Sequence, residues 1–291
     1  MARTDTLGNF LTDVCNAVRE KTGETGTIKA SELDTKIQNI SSGDIPANAK
    51  IEIAKYDDNG YPIKVIVRST YVSSYMFYCP INNTSYTYNK MEEVVLPDDI
   101  TNIGEWCFYN CANLKTINIP DAVTSFGKSC FEGCLAVEIT LPPSIKTLNQ
   151  ACFKGCKKLQ ASSLPETVTY MSDNVFNNCD SITTFTMPST IKQIPISTLR
   201  DCDNLTSVTL LADVTSIGGY CFNASKNFET LIMPNITSVP TVETTSFGGT
   251  KISSGIGYIY VPDTLVDSFK TTGNWVNYAN QIKPISELET E

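Results

Sequence analysis

The sequence predicts a β-solenoid, a coil of short strands and turns stacked in about seven repeats of 22–23 residues. An apolar residue followed by proline recurs at Pro97, Pro120, Pro142, Pro165 and Pro188, with spacings of 23, 22, 23 and 23 residues. A second series keeps the same period and comprises Phe108, Phe131, Phe153, Phe176, Leu199 and Phe222. A unit of this length cannot bury its own apolar side chains, so successive units must stack and share one core.

Each repeat contains two extended segments. The first alternates apolar and polar residues, as at Ile117 and Ile119, and this alternation predicts a strand with one buried face. The second is shorter and carries an apolar pair such as Val123 and Phe126. The proline after the first strand ends it, because proline cannot donate to a strand ladder.

The repeat carries the pattern Phe-x-x-Cys-x-x-Leu-x-x-Ile-x-Ile-Pro, with Val-Thr-Ser-Phe-Gly at 123–127 and Val-Thr-Ser-Ile-Gly at 214–218. In these features residues 94–262 resemble the BspA-like leucine-rich repeat family. The resemblance implies a leucine-rich-repeat solenoid. It also implies a C-terminal cap over 263–291 that begins with a short helix, Asp263 to Lys270.

Residues 1–43 follow a helical period, which predicts a helical hairpin. One apolar face of it comprises Leu7, Phe10, Leu11, Val14 and Val18. A hairpin of this size is marginal alone, so we expect this face to pack on the solenoid, on another protein, or on copies of itself, for example in a trimer.

Within this segment, residues 11–23, followed by Ile28–Leu33 and Ile37, resemble an N-terminal module found on tail, baseplate and fibre proteins of phages and prophages of gut bacteria. The resemblance implies that residues 1–43 attach the chain to other virion proteins.

Residues 44–93 are predicted to form a β-hairpin and the N-terminal cap of the solenoid. The runs Lys50 to Tyr56 and Pro62 to Val67 flank Asn59-Gly60, and Asn-Gly between two alternating runs is a strong hairpin signal.

Composition excludes several functions. The 291-residue chain has no histidine, which removes Ser-His-Asp and Cys-His nucleophile systems and imidazole zinc motifs. Its 22 Lys and Arg against 31 Asp and Glu give a net charge of −9, the wrong sign for nucleic acid. The sequence has neither an apolar run long enough to span a membrane nor an apolar leader in residues 1–10, so we expect no membrane partner and no export signal.

The cysteines offer a chemical alternative to a purely structural repeat. Three pairs have C-x₃-C spacing: Cys107 with Cys111, Cys130 with Cys134, and Cys152 with Cys156. Because the pairs recur with the structural period, they favour ladders of small buried side chains, with metal binding and disulfides as the alternatives. A catalytic thiol would have to be singular and activated. We therefore expect no metal, no cofactor and no enzymatic activity.

The candidate binding surface is the outward side of the alternating strands. It forms a hydroxyl-rich, mildly acidic stripe that comprises Thr116, Asn118, Glu138, Thr140, Thr184, Thr186, Ser207 and Thr209. Threonine is also a good strand former, so strand propensity alone is the competing explanation. Stacked repeats create extended surfaces that suit protein or glycan partners.

These inferences predict a non-enzymatic virion structural protein of a phage or prophage, associated with a fibre or tail. Residues 1–43 would hold it on the particle, and the repeats would recognise a protein or glycan on the host surface. A protein released by lysis as part of a virion needs no export signal. The alternatives are a bacterial cell-surface adhesin of the BspA-like class and a capsid or tail decoration protein without a receptor role.

Overall fold

The computed structural model describes residues 51–69, 72–77, 79, 88, 90–159 and 161–290. The helical hairpin expected over residues 1–43 lies outside this range, and so does its apolar face of Leu7, Phe10, Leu11, Val14 and Val18. The described residues form a leucine-rich-repeat solenoid of about eight turns.

The strands lie along two sides of the solenoid, and those on each side form two separate hydrogen-bonded parts; we call the two sides the main sheet and the second sheet. The main sheet comprises β1 (Ile51–Tyr56), β2 (Pro62–Val67), β3 (Glu93–Val95), β5 (Thr116–Ile117), β9 (Thr184–Met187), β11 (Ser207–Leu210), β13 (Thr230–Ile232), β15 (Tyr258–Val261) and β16 (Ile282–Pro284). The second sheet comprises β4 (Asn102–Ile103), β6 (Ser125–Phe126), β7 (Thr147–Leu148), β8 (Tyr170–Met171), β10 (Gln193–Ile194), β12 (Ser216–Ile217) and β14 (Thr241–Val242). Apart from the antiparallel β1–β2 pair, all of these pairings are parallel.

The predicted hairpin forms, and its second strand also belongs to the solenoid. Asp57 closes the turn, because its Oδ1 accepts hydrogen bonds from the backbone N–H of Asn59 at 2.9 Å and of Tyr61 at 2.8 Å. Strand β2 then pairs in parallel with β3, and the Phe77 ring stacks on Phe108 with centroids 5.2 Å apart. The solenoid therefore has one turn more than the seven repeats expected. Its first turn escapes the sequence pattern because it lacks both the proline and the regular spacing.

The core is a stack of rings. Phe108, Phe131, Phe153 and Phe176 are fully buried, and their neighbouring centroids lie 5.1, 5.7 and 6.1 Å apart with interplanar angles of 8° or less. Leu199 interrupts the stack, which resumes with Phe222 and Phe247 at 5.4 Å. Where neighbouring turns both contribute a ring, the stacking of the two rings fixes the register of those turns.

The cysteines form hydrogen-bonded ladders beside this stack. All ten cysteines among the described residues are buried free thiols. Cys134, Cys156 and Cys179 each donate from Sγ to the carbonyl of a phenylalanine in the preceding turn, at 3.0 to 3.1 Å. At the next-but-one turn Ser225 takes the same place, and its Oγ donates to the Leu199 carbonyl at 2.8 Å. This position therefore holds a small side chain that donates a hydrogen bond, whereas the sequence predicts only a small buried hydrophobic side chain.

The turns that directly follow the strands of the second sheet form a third side of the solenoid, which we call the turn face. It comprises residues 105–110, 128–133, 150–155, 173–178, 196–201 and 219–224. Backbone hydrogen bonds join neighbouring turns here, for example from Phe108 N–H to the Cys130 carbonyl at 2.7 Å. Glycine precedes the face where the turns approach most closely: a Cβ on Gly127 would lie 2.5 Å from the backbone nitrogen of Glu105. This contact explains the glycine in Val-Thr-Ser-Phe-Gly.

The C-terminal segment closes the solenoid. After β15 it forms a 3₁₀ turn (Asp263–Leu265), helix α1 (Val266–Thr271), a second 3₁₀ helix (Gly273–Tyr278), β16 and a third 3₁₀ helix (Ile285–Thr290). Trp275 is buried against Phe247 and Phe269, and its Nε1 donates to the Pro240 carbonyl at 2.6 Å. Asn274 Nδ2 donates to the Val242 carbonyl at 2.7 Å, so side chains of the cap satisfy the last edge of the second sheet.

Candidate functional site

The outward face of the main sheet carries two rows of side chains in register. Thr184, Ser207, Thr230 and Tyr258 are successive partners in the first row. Thr186, Thr209 and Ile232 are successive partners in the second row, which continues to Tyr260, a residue that is only 5% exposed. Neighbouring members of a row are about 4.8 Å apart, because that is the spacing of hydrogen-bonded strands. Thr184 is exposed and Thr186, Ser207 and Thr209 are half-buried. The structure therefore brings these four predicted residues together.

The predicted stripe does not continue unbroken to the N-terminal end. Glu138 and Thr140 are exposed but lie in an extended stretch outside the strand ladder. A long backbone hydrogen bond, from Glu138 N–H to the Lys115 carbonyl at 3.4 Å, links this stretch to the turn before it. Pro142 and Pro143 follow directly and offer no donors. The face thus has two parts, β1-β2-β3-β5 and β9-β11-β13-β15-β16.

Asn118 has a structural partner of its own. Its side-chain oxygen accepts a hydrogen bond from Leu96 N–H at 2.7 Å, and its amide nitrogen donates to the Leu96 carbonyl at 2.9 Å. The side chain thereby extends the main ladder by one pair where strand β5 has ended. Alternation alone could not distinguish this clamp from an outward binding residue.

Replacing Asn118 tests this clamp. We expect Asn118→Ala to lower the free energy of unfolding by about 1–3 kcal/mol, because it leaves two part-buried backbone groups of Leu96 without their partner. The neighbouring exposed Thr116→Ala should change it by less than about 0.5 kcal/mol. Urea unfolding of both variants makes the comparison. Equal stabilities would show that the Asn118 hydrogen bonds contribute nothing.

The N-terminal part of the face is charged. Lys64 pairs with Glu93 at 2.7 Å and Lys115 with Glu92 at 2.9 Å, and these four side chains line a shallow cleft of about 170 Å³ beside Thr116. Pockets that enclose a small-molecule ligand are usually larger, about 300–1,000 Å³. This end of the face therefore suits an extended partner better than an enclosed substrate.

The C-terminal part ends on an aromatic residue that the sequence reasoning missed. Tyr258 is 41% exposed, and Lys283 Nζ lies 5.7 Å from the centre of its ring. A hydrogen bond from Lys283 to Glu287 raises the pKa of this lysine, so it stays cationic. The alternation of the strand is the signal that could have found Tyr258: because Ile259 points inward, Tyr258 faces outward, in the same row as Thr184 and Ser207. The hydroxyl row therefore ends at a ring and a cation.

The chemistry of the cysteines differs from that of this face. Burial raises the pKa of the ladder thiols, to about 12 for Cys202, so they stay neutral and unreactive at physiological pH. Within the described ranges, no three His, Cys, Asp or Glu side chains come together as a set of metal ligands. None of the helices among the described residues is long and apolar enough to cross a membrane.

Stacked parallel strands, a ring ladder and a closing cap define the class as a leucine-rich-repeat solenoid. A family model described as the BspA type leucine rich repeat region matches residues 80–205 and 192–263 in six copies. The chain belongs to the BspA-type leucine-rich repeat family.

Several solved structures are similar to the chain. A leucine-rich repeat protein of T. pallidum is 18% identical, with 60% of this chain and 86% of that one covered, at a TM-score of 0.47. A leucine-rich repeat protein of Bacteroides ovatus is 19% identical, with coverages of 81% and 75% and a TM-score of 0.46. The pneumococcal vaccine antigen PcpA is 16% identical, with coverages of 75% and 45% and a TM-score of 0.42. No curated protein matches the sequence.

Proposed function

We propose that the chain is a non-enzymatic recognition protein that binds a cell-surface protein or glycan through the outward face of its main sheet. The observation that carries the proposal is the pair of in-register rows that run from Thr184 and Thr186 to Tyr258 and Lys283. Only the inward side chains form the core, so core packing does not require hydroxyls, a ring and a cation on the outward face. Hydroxyls, one exposed ring and one cation supply hydrogen bonds and an anchor for an extended partner.

We further propose that the chain acts on a phage or prophage virion. Residues 1–43 would bind other virion proteins, and the face of Leu7, Phe10 and Val14 would anchor the chain or join copies of it into an oligomer such as a trimer. The support is the resemblance of residues 11–37 to the N-terminal module of phage tail, baseplate and fibre proteins. The solenoid would then present the main sheet to the host.

Membership in the BspA-type family favours a second candidate, a bacterial cell-surface adhesin. Electron microscopy with antibody against the chain distinguishes the two. Label on the tail or head of particles induced from the source strain supports the virion protein. Label on cells with bare particles supports the adhesin and overturns the virion role.

Substitutions on the main sheet test recognition itself. We expect the double variant Thr184→Lys/Ser207→Lys to lower binding of the purified chain to host cells about tenfold or more, because two adjacent rungs then carry bulky charge. The matched control, Gln193→Lys/Ser216→Lys, alters the paired positions of the second sheet in the same two turns and should bind normally. Unchanged binding by both variants would overturn the main sheet as the binding surface, and the absence of binding by the unaltered chain would favour the decoration protein without a receptor role.

A further inference from the structure

Three aromatic side chains meet where the first turn of the solenoid adjoins the N-terminal end of the turn face, away from the main sheet. The rings of Tyr75 and Trp106 are parallel with centroids 6.4 Å apart, and Trp106 meets Tyr109 at 4.8 Å. Tyr75 is 47% exposed, and Trp106 and Tyr109 are half-buried. We call these three residues the aromatic ledge.

The fold does not require a ring at the position of Trp106. In the next three turns this position is held by Ser129, Ala151 and Asn174, each with the same left-handed backbone, φ between 51° and 61°. Tyr75 and Trp106 also have positive φ, 62° and 56°, a region that bulky residues avoid and asparagine tolerates. Neither turn geometry nor the phenylalanine stack therefore accounts for the rings.

Polar groups surround the ledge. Lys128 is exposed, and its Nζ lies 5.9 Å from the centre of the Trp106 ring. Glu105 is exposed directly before Trp106, and Glu132 lies one turn further on, paired with Lys154 at 2.9 Å. The ledge thus combines a few ring surfaces with hydrogen-bonding side chains of both charges.

This combination fits a sugar better than a protein surface. A stable protein interface buries about 800 Å² on each partner, which three rings, two of them half-buried, do not supply. A pyranose has an apolar face of C–H groups that packs on an aromatic ring, and a rim of hydroxyls that bond to side chains such as Lys128 and Glu105. The carboxylates nearby and the net charge of −9 disfavour acidic sugars.

We propose that the aromatic ledge is a binding site for a neutral glycan, separate from the main sheet. Tyr75 and Trp106 stack on the sugar rings, and Lys128 and Glu105 bond to their hydroxyls. The site gives the solenoid a second point of attachment to a glycan-coated surface, independent of the partner of the main sheet.

The intrinsic fluorescence of the full chain tests the proposal, because its two tryptophans differ: Trp106 belongs to the ledge and Trp275 is buried in the cap. Cellohexaose, chitohexaose, xylohexaose and mannohexaose serve as neutral probes, and an oligogalacturonate as the acidic one. We expect a saturable change in emission with at least one neutral probe. Trp106→Asn and Tyr75→Asn should each weaken its binding about tenfold.

The repeat supplies a matched control. Tyr220 holds the position of Trp106 near the other end of the turn face, with φ 56° and 44% exposure, so Tyr220→Asn should leave the affinity unchanged. The proposal is overturned if no neutral probe binds, if only the acidic probe binds, or if Trp106→Asn binds normally. If Trp106→Asn does not unfold cooperatively, it is not properly folded. In that case normal glycan binding by Tyr75→Asn overturns the proposal. Thr184→Lys/Ser207→Lys should keep glycan binding, which separates this test from that of the main sheet.

Discussion

Raising the pH above about 9 is expected to unfold the solenoid sharply. Burial raises the pKa of nine described cysteines above the usual 9.0: Cys107, Cys111, Cys130, Cys134, Cys152, Cys156, Cys179, Cys202 and Cys221. Well below pH 9 these thiols are neutral in both states, so their ionisation does not change the free energy of unfolding. Above it the unfolded chain ionises and binds fewer protons than the native chain, so the free energy of unfolding falls.

The expected effect is large because the thiols act together. Each lowers the free energy of unfolding by about 1.4 kcal/mol per pH unit, and nine together by roughly 12 kcal/mol per pH unit. A folded domain has only about 5–15 kcal/mol in total. Circular dichroism and the ultraviolet absorbance of thiolate, followed together from pH 8 to 11, should therefore change in one transition.

A serine variant provides the control. Cys134→Ser/Cys156→Ser/Cys179→Ser keeps a donor to each phenylalanine carbonyl, as Ser225 does for Leu199, but removes three ionisable groups. Its transition should be about one-third less steep and lie at higher pH. Thiolate absorbance that appears while the circular dichroism stays native would contradict the burial argument.

The second large effect is expected at the centre of the ring stack. Phe153 is fully buried, with Phe126 at 5.1 Å, Phe131 at 5.7 Å and Phe176 at 6.1 Å between ring centroids. Phe153→Ala should lower the free energy of unfolding by about 3–5 kcal/mol, because it removes the ring and leaves a cavity between two turns. Urea unfolding measures the loss.

Leu199 supplies the matched control, because it fills the same place in its own turn. Phe153→Leu should therefore lower the free energy of unfolding by less than half the loss for Phe153→Ala, since leucine refills most of the cavity. In a solenoid each turn contacts only its neighbours, so Phe153→Ala should also weaken the coupling between the two halves. Similar losses for alanine and leucine would show that ring stacking, and not volume, holds the turns together.

Most of the fold could be predicted from the spacing of a few residues. The prolines and phenylalanines recur every 22–23 residues, and a period of that length can be satisfied only by stacking. The hairpin at Asn59-Gly60 was predictable because its turn is local. The first solenoid turn was not, since Phe77 joins the stack across an irregular spacing and is recognised only by its contact with Phe108.

The candidate surface was predicted in part. Alternation placed Thr184, Thr186, Ser207 and Thr209 on one side, and the register confirms that they adjoin. It did not separate Asn118, whose amide is held by Leu96, from these hydroxyls. It also did not foresee that the ladder breaks at Glu138 and Thr140.

The sequence by itself determined the class of fold, the core residues of the regular repeats and the side of their strands that faces outward, because these follow from period and alternation along the chain. Only the tertiary structure decided which outward side chains are held by the neighbouring turn, where the sheet is interrupted, and that Trp106 meets Tyr75 and Tyr109. These features depend on contacts between turns. Residues more than 20 positions apart in the sequence can be identified as neighbours only when the stacking register is known.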